Sequence, residues 1–117
     1  MGFSDQNKTY TSKLVDLARK NLVAFDYQTL TVDATVGGVS LTVPAGANYA
    51  LIEVESSIST PAIRYKECGP TSAVTATSGI RRSNLDAFDV VGYQNLVNFR
   101  AIQVAGGVHQ LNIQYYR

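Results

Sequence analysis

Two runs of alternating residues either side of a Pro-Ala-Gly triplet restrict this chain to an all-β fold. Val39, Leu41 and Val43 alternate with Ser40 and Thr42, the period-2 pattern of a strand with one buried face. After Pro44-Ala45-Gly46 the chain returns with Ala50, Ile52 and Val54 on one face and Glu53 and Glu55 on the other. Pro44 has its φ preset for the second position of a type I turn. Gly46 can take the left-handed conformation that closes such a turn, so the triplet predicts a hairpin loop.

The same pattern extends in both directions. Phe25 and Tyr27 alternate with polar residues, and Leu30, Val32, Ala34 and Val36 follow on the opposite parity. That switch predicts a bulge near Gln28-Thr29. Gly37-Gly38 predicts a two-residue hairpin pairing Val36 with Val39, Ala34 with Leu41 and Val32 with Val43. Charge predicts the next register: Glu53 opposite Lys66 and Glu55 opposite Arg64, with Val54 opposite Tyr65. Cys68-Gly69-Pro70-Thr71 breaks the pattern, and the Ser/Thr/Ala stretch to Gly79 reads as loop or edge. Residues 80–91 give a strand broken near Asn84, Gly92-Tyr93-Gln94-Asn95 a turn, and residues 96–104 another strand. After Ala105-Gly106-Gly107 the last strand points Leu111, Ile113 and Tyr115 inward and Gln110, Asn112, Gln114 and Tyr116 outward. About seven or eight short strands with turn signals every 8–12 residues predict an antiparallel β-sandwich, jelly-roll-like.

The first 21 residues stand apart from this. Their beginning is polar and patternless. From Thr11 or Ser12, Leu14, Leu17, Ala18 and Leu22 fall on one helical face, opposite Lys13, Asp16, Arg19 and Lys20. The segment reads as a short helix or an extended arm, too short to be stable alone. The expected division is residues 1–21 as arm and 22–117 as sandwich. Such an arm either packs on its own domain or orders on a neighbouring subunit, and the second fate is the expectation.

Chemistry is sparse. His109 is the only histidine and Cys68 the only cysteine, so no internal disulfide, cysteine zinc site or two-histidine metal site is expected. His109 reads as an ordinary surface position and Cys68 as a buried, inert thiol. Asp86 and Asp89 lack the pattern of a calcium loop and read as turn chemistry. A net charge of +1, with only 16% charged residues, gives no footprint for nucleic acid. No apolar run approaches a membrane span, and the first residues match neither a signal peptide nor a myristoylation motif. No catalytic, cofactor-binding or metal-ligating residue is expected. The remaining lead is contact surface. Tyr49, Tyr93 and Tyr116, all predicted to point outward, and the stripe Leu14, Leu17 and Leu22 are the candidate interaction residues.

Several blocks together carry a resemblance. Residues 41–55 (LTVPAGANYALIEVE), Ile63-Arg64-Tyr65, Asn98-Phe99-Arg100-Ala101-Ile102 and the closing LNIQYYR of residues 111–117 resemble small β-sandwich virion proteins encoded among the structural genes of tailed bacteriophages. The likeness spans roughly residues 39–117 and omits the arm. It implies a non-enzymatic role as capsid decoration (cement) protein, head fibre, or neck or tail component, with no cofactor. The expectation is a decoration protein that binds the major capsid protein or other virion subunits. It would form a homo-oligomer, touch neither nucleic acid nor membrane, and reside in the virion after assembly in the bacterial cytoplasm. The runner-up is a carbohydrate- or receptor-binding module of a tail or fibre, against which the absence of Trp counts. A glycosidase-like enzyme trails both.

Overall fold

The structure, a computed structural model, describes residues 22–117. Eight strands follow one another: β1 (Ala24–Thr31), β2 (Val39–Ser40), β3 (Tyr49–Ser56), β4 (Ile63–Lys66), β5 (Ile80–Arg82), β6 (Ala87–Val91), β7 (Arg100–Gln103) and β8 (His109–Tyr116). A 3-10 turn, Gly69–Thr71, follows β4, and one short helix, α1 (Tyr93–Asn98), separates β6 from β7. All pairings are antiparallel. One sheet has the order β1-β8-β3-β6 and the other β2-β7-β4-β5, the two interlocked Greek keys of a jelly roll.

The alternating strands supply the core between these sheets. Ala50, Ile52 and Val54 of β3 and Leu111 and Ile113 of β8 are fully buried, facing Ile63 of β4 and Ala101 of β7. Tyr65 of β4 stacks on Phe88 of β6 at 4.5 Å between ring centroids and on Phe99 at 5.4 Å, so an aromatic pile bridges the two layers. The Arg82 guanidinium lies 5.3 Å from the Phe88 centroid and 5.7 Å from that of Tyr65.

No bulge forms at Gln28-Thr29, where Gln28 pairs with Ile113 and Thr29 with Asn112 in regular register, and Tyr27, expected inward, is exposed. The β1–β8 register shifts instead between Ala24 and Asp26, which moves the half-buried positions from Phe25 to Gln28 and Leu30.

Three further local expectations fail, each because a turn connects different partners from those assumed. The Gly37-Gly38 hairpin does not form: β2 pairs with β7, Val39 opposite Ala101, and Val36 is 96% exposed. Residues 33–38 turn instead. The Asp33 carboxylate accepts the Thr35 N–H (2.9 Å) and also its hydroxyl, and Gly38 N–H donates to Thr35 O at 2.9 Å, so side-chain bonding competes with the ladder. These Thr35 bonds hold the Asp33 carboxyl below its ordinary pKa. Gly38 has φ +85°, and a Cβ there would lie 3.0 Å from Ala101 O and 2.7 Å from Val74 Cγ1. Only glycine fits that approach of the turn to β7.

Pro44-Ala45-Gly46 is a turn, with Ala47 N–H bonded to Pro44 O at 3.2 Å and Gly46 at φ +85°. It carries the chain from one sheet to the other, so it closes no hairpin. The charge-set register is likewise absent. Glu55 lies opposite Gln110, whereas Arg64 sits in the other sheet, opposite Ile102 and Arg81. Arg64 donates to Ala76 O and Gly79 O, and Lys66 to Ser72 Oγ and Ala73 O.

Beyond Asn84 the strand prediction also divides. The break there puts β5 and β6 in different sheets. The predicted turn and strand at residues 92–99 are mostly α1, whose Leu96, together with Phe99 at helical i, i+3 spacing, is fully buried.

Tyr115, fully inside, donates to Gln28 Oε1 at 2.6 Å, and burial above all pushes its pKa up to about 12. Burial also raises that of Tyr65. Because the folded pKa of Tyr115 exceeds the ordinary 10.0, its contribution to stability is complete below that pH and is lost as pH rises toward 12. Denaturant midpoints should therefore fall across this window, and Tyr115→Phe should flatten part of the fall. A midpoint independent of pH there would contradict the assignment.

Candidate functional site

The outer face of the β1-β8-β3-β6 sheet is polar, and Asn112 is its hub. The Asn112 amide donates to Glu53 Oε1 at 3.3 Å and to Glu55 Oε1, while its carbonyl accepts from Tyr27 Oη (3.1 Å) and Gln110 Nε2 (2.9 Å). One neutral amide thus stands between two carboxylates whose predicted cations lie in the other sheet.

At the Ser56 end of this face a groove of about 440 Å³ opens. Glu53, Glu55 and Gln110 come from the sheet, Ser56, Ser57 and Asn84 lie at its end, and Leu85 and Val108 add apolar sides. Leu85 is the one non-glycine residue with positive φ, +72°, among the described residues, a conformation that costs about 1–2 kcal/mol. It is pinned there because Leu85 N–H donates to Val54 O and Val54 N–H to Asp86 O, at 2.8 and 2.9 Å. The bonds hold a hydrophobic side chain that is 73% exposed, and Val108 is equally exposed. Backbone strain of this kind clusters at ligand clamps.

His109, expected on the surface, is 1% exposed beside this groove. Its Nε2 lies 2.8 Å from Ala105 O and its Nδ1 2.8 Å from Ser56 Oγ. A carbonyl can only accept, so Nε2 carries a proton, and in the neutral ring Nδ1 then accepts the Ser56 hydroxyl. Ser and His, 53 residues apart, could not be joined from sequence. A hydrogen-bonded Ser–His pair is also the beginning of a nucleophile and base. Here, however, a backbone carbonyl takes the place of an orienting carboxylate. The surrounding N–H groups are engaged: Ser56 with Asn84 Oδ1, Ser57 with Val108 O, Val108 with Ser57 Oγ and Ile58 with Ser56 Oγ. None of these four is left to stabilise an oxyanion, and the pair instead ties β3, β8 and the 57–58 loop together.

Of the candidate contact tyrosines, one is on the surface. Tyr49 and Tyr116 are only 2% and 9% exposed. They meet edge to face at 5.3 Å, and Tyr49 Oη donates to Asp89 Oδ2 at 3.0 Å. Alternation placed them outward correctly, but position on the outer face does not mean exposure at this end of the sheet. Tyr93 is 46% exposed and Val97, one helical turn on, 39%. The two share one face of α1, and Val91, the last residue of β6, is 57% exposed two positions before Tyr93. Leu14 and Leu17 lie outside the described residues, and Leu22 is half-buried.

Comparison with protein-family models, curated proteins and solved structures finds no match to any of them.

Cys68 is exposed rather than buried: it leads into the 3-10 turn at the surface, where its carbonyl accepts the Thr71 hydroxyl at 3.3 Å. Among the described residues no group of three or more His, Cys, Asp or Glu side chains is placed to hold a metal ion. No described helix is long and apolar enough to cross a membrane.

Proposed function

We propose that this chain is a non-enzymatic structural protein of a tailed-phage virion, a decoration subunit that binds neighbouring capsid subunits and stabilises the assembled shell. The observation that carries the reading is the strand order β1-β8-β3-β6 against β2-β7-β4-β5, the jelly roll that recurs in viral capsid domains. Architecture alone does not give function. Two further features support the role: the resemblance of residues 39–117 to phage virion proteins, and a surface low in charge on which Val91, Tyr93 and Val97 are exposed. Covering such a surface across a subunit boundary stabilises the assembled state by mass action.

Jelly rolls also occur in lectins, and the amides and carboxylates of the groove are sugar-compatible. Its apolar sides, though, are Leu85 and Val108, which offer no aromatic platform for a pyranose ring. The decoration reading is preferred.

The test is binding of full-length protein to particles made without it, read by co-sedimentation. Tyr93→Asp should leave the fold intact, since the side chain is half exposed, and weaken binding about thirtyfold, the ~2 kcal/mol of an aromatic anchor. Unchanged binding would remove Tyr93 from the interface. Failure of the unmodified protein to bind any particle would remove the role.

A further inference from the structure

We infer that the groove beside Leu85 and Val108 is the docking site for this chain's own N-terminal segment, residues 13–17, whatever the assembled role of the protein. Charge is the first argument. Residues 1–21 carry Lys8, Lys13, Arg19 and Lys20 against Asp5 and Asp16, a net +2, whereas the remaining six cations of the chain face seven carboxylates, a net −1. Two of those carboxylates, Glu53 and Glu55, share the Asn112 amide at the groove, and both cations predicted to neutralise them are committed to backbone and hydroxyl oxygens elsewhere. The apolar sides then match Leu14 and Leu17, which flank the sequence next to Lys13.

Reach is the second argument. Val23 is bonded to Arg117 in both directions, 2.8 and 3.0 Å, so the segment departs at the Tyr116 end of the sheet. Tyr49 lies opposite Tyr116 and Ser56 opposite His109, which sets the groove about 23 Å away along β3. Nine extended residues, from Leu22 back to Lys13, span about 30 Å. That is enough to turn and run down the outer face of the same molecule, bringing Lys13 to Glu53 and Glu55 and Leu14 between Leu85 and Val108. A tether of this length gives an effective concentration in the millimolar range, so the own segment outcompetes that of a second copy in dilute solution. The first of the two fates open to such an arm is thereby favoured over the second.

Carbodiimide coupling of the full-length protein, read by peptide mass spectrometry on the monomer band, tests this directly. A Lys13 cross-link to Glu53 or Glu55 within one chain is expected. Trypsin cleavage after Lys13, Arg19 and Lys20 should accelerate about tenfold in the exposed-site double variant E53K/E55K, the effect of ~1.4 kcal/mol. Adding Lys13→Glu to that variant should slow cleavage after Arg19 and Lys20 again, the two sites it leaves in place, because the charge pairing is restored in reverse, which a general loss of stability would not do. Cross-links confined to a dimer band would give the groove to a second copy and overturn the inference. So would the absence of any groove cross-link together with cleavage rates unaffected by E53K/E55K.

Discussion

Phe99→Ala should cost about 3–5 kcal/mol of folding stability, measured as a lowered denaturant midpoint at unchanged slope. Phe99 is fully buried. It connects α1 to β7 and stacks at 5.4 Å on Tyr65 and 6.3 Å on Phe88, so its ring touches both layers of the sandwich. Removing it leaves a void beside Tyr65, the ring that stacks closest to both of the others. Neighbouring strands cannot close that void without breaking the β4–β7 and β3–β6 ladders. Against a typical total of 5–15 kcal/mol for a domain, the variant should be close to unfolding at physiological temperature. Phe99→Leu, which keeps most of the volume, should cost clearly less. Equal losses from the two substitutions would mean that the pile does not hold the sheets together.

What the sequence revealed and what it concealed follow from this topology. Strands β3 and β8 were legible because each has eight residues with one fully buried face, and Ala50, Ile52, Val54, Leu111 and Ile113 obey the period without exception. The partners of those strands were not legible. In a jelly roll most pairings join strands far apart in the chain; β4 with β5 is the one consecutive pair here. The glycine and proline signals at Gly37-Gly38 and Pro44-Ala45-Gly46 are genuine turns. A turn residue reports local dihedral angles, however, and not whether the chain returns to the same sheet or crosses to the other one. The assumption of hairpins therefore misplaced Val36 and paired Glu55 with Arg64.

The candidate site was concealed for a related reason. The groove is assembled from residues 53–57, 84–85 and 108–110, which no local window unites. The strained Leu85 and the buried His109 carry no sequence signature of their strain or burial. Short α1 escaped because six residues are too few to establish a helical period. Its two buried contacts, Leu96 and Phe99, fit a strand broken at one position equally well. Tyr93 alone of the three tyrosines remained available as a contact residue, because α1 lifts it clear of the sheet.

The second large effect concerns assembled particles and tests the decoration role most directly. A subunit that binds only the assembled shell stabilises it by an amount that grows with its free concentration over its dissociation constant, about 2.7 kcal/mol per site at a hundredfold excess. Summed over the many equivalent sites of a shell, that should appear as a clear rise in the temperature of DNA release. The measurement is a thermal-release profile of particles produced without this chain, before and after adding back the purified full-length protein. Particles without it should assemble but release DNA at a lower temperature, and addition should restore the profile, with Tyr93→Asp restoring it only at much higher concentration. Identical release profiles with and without the bound protein would contradict the account.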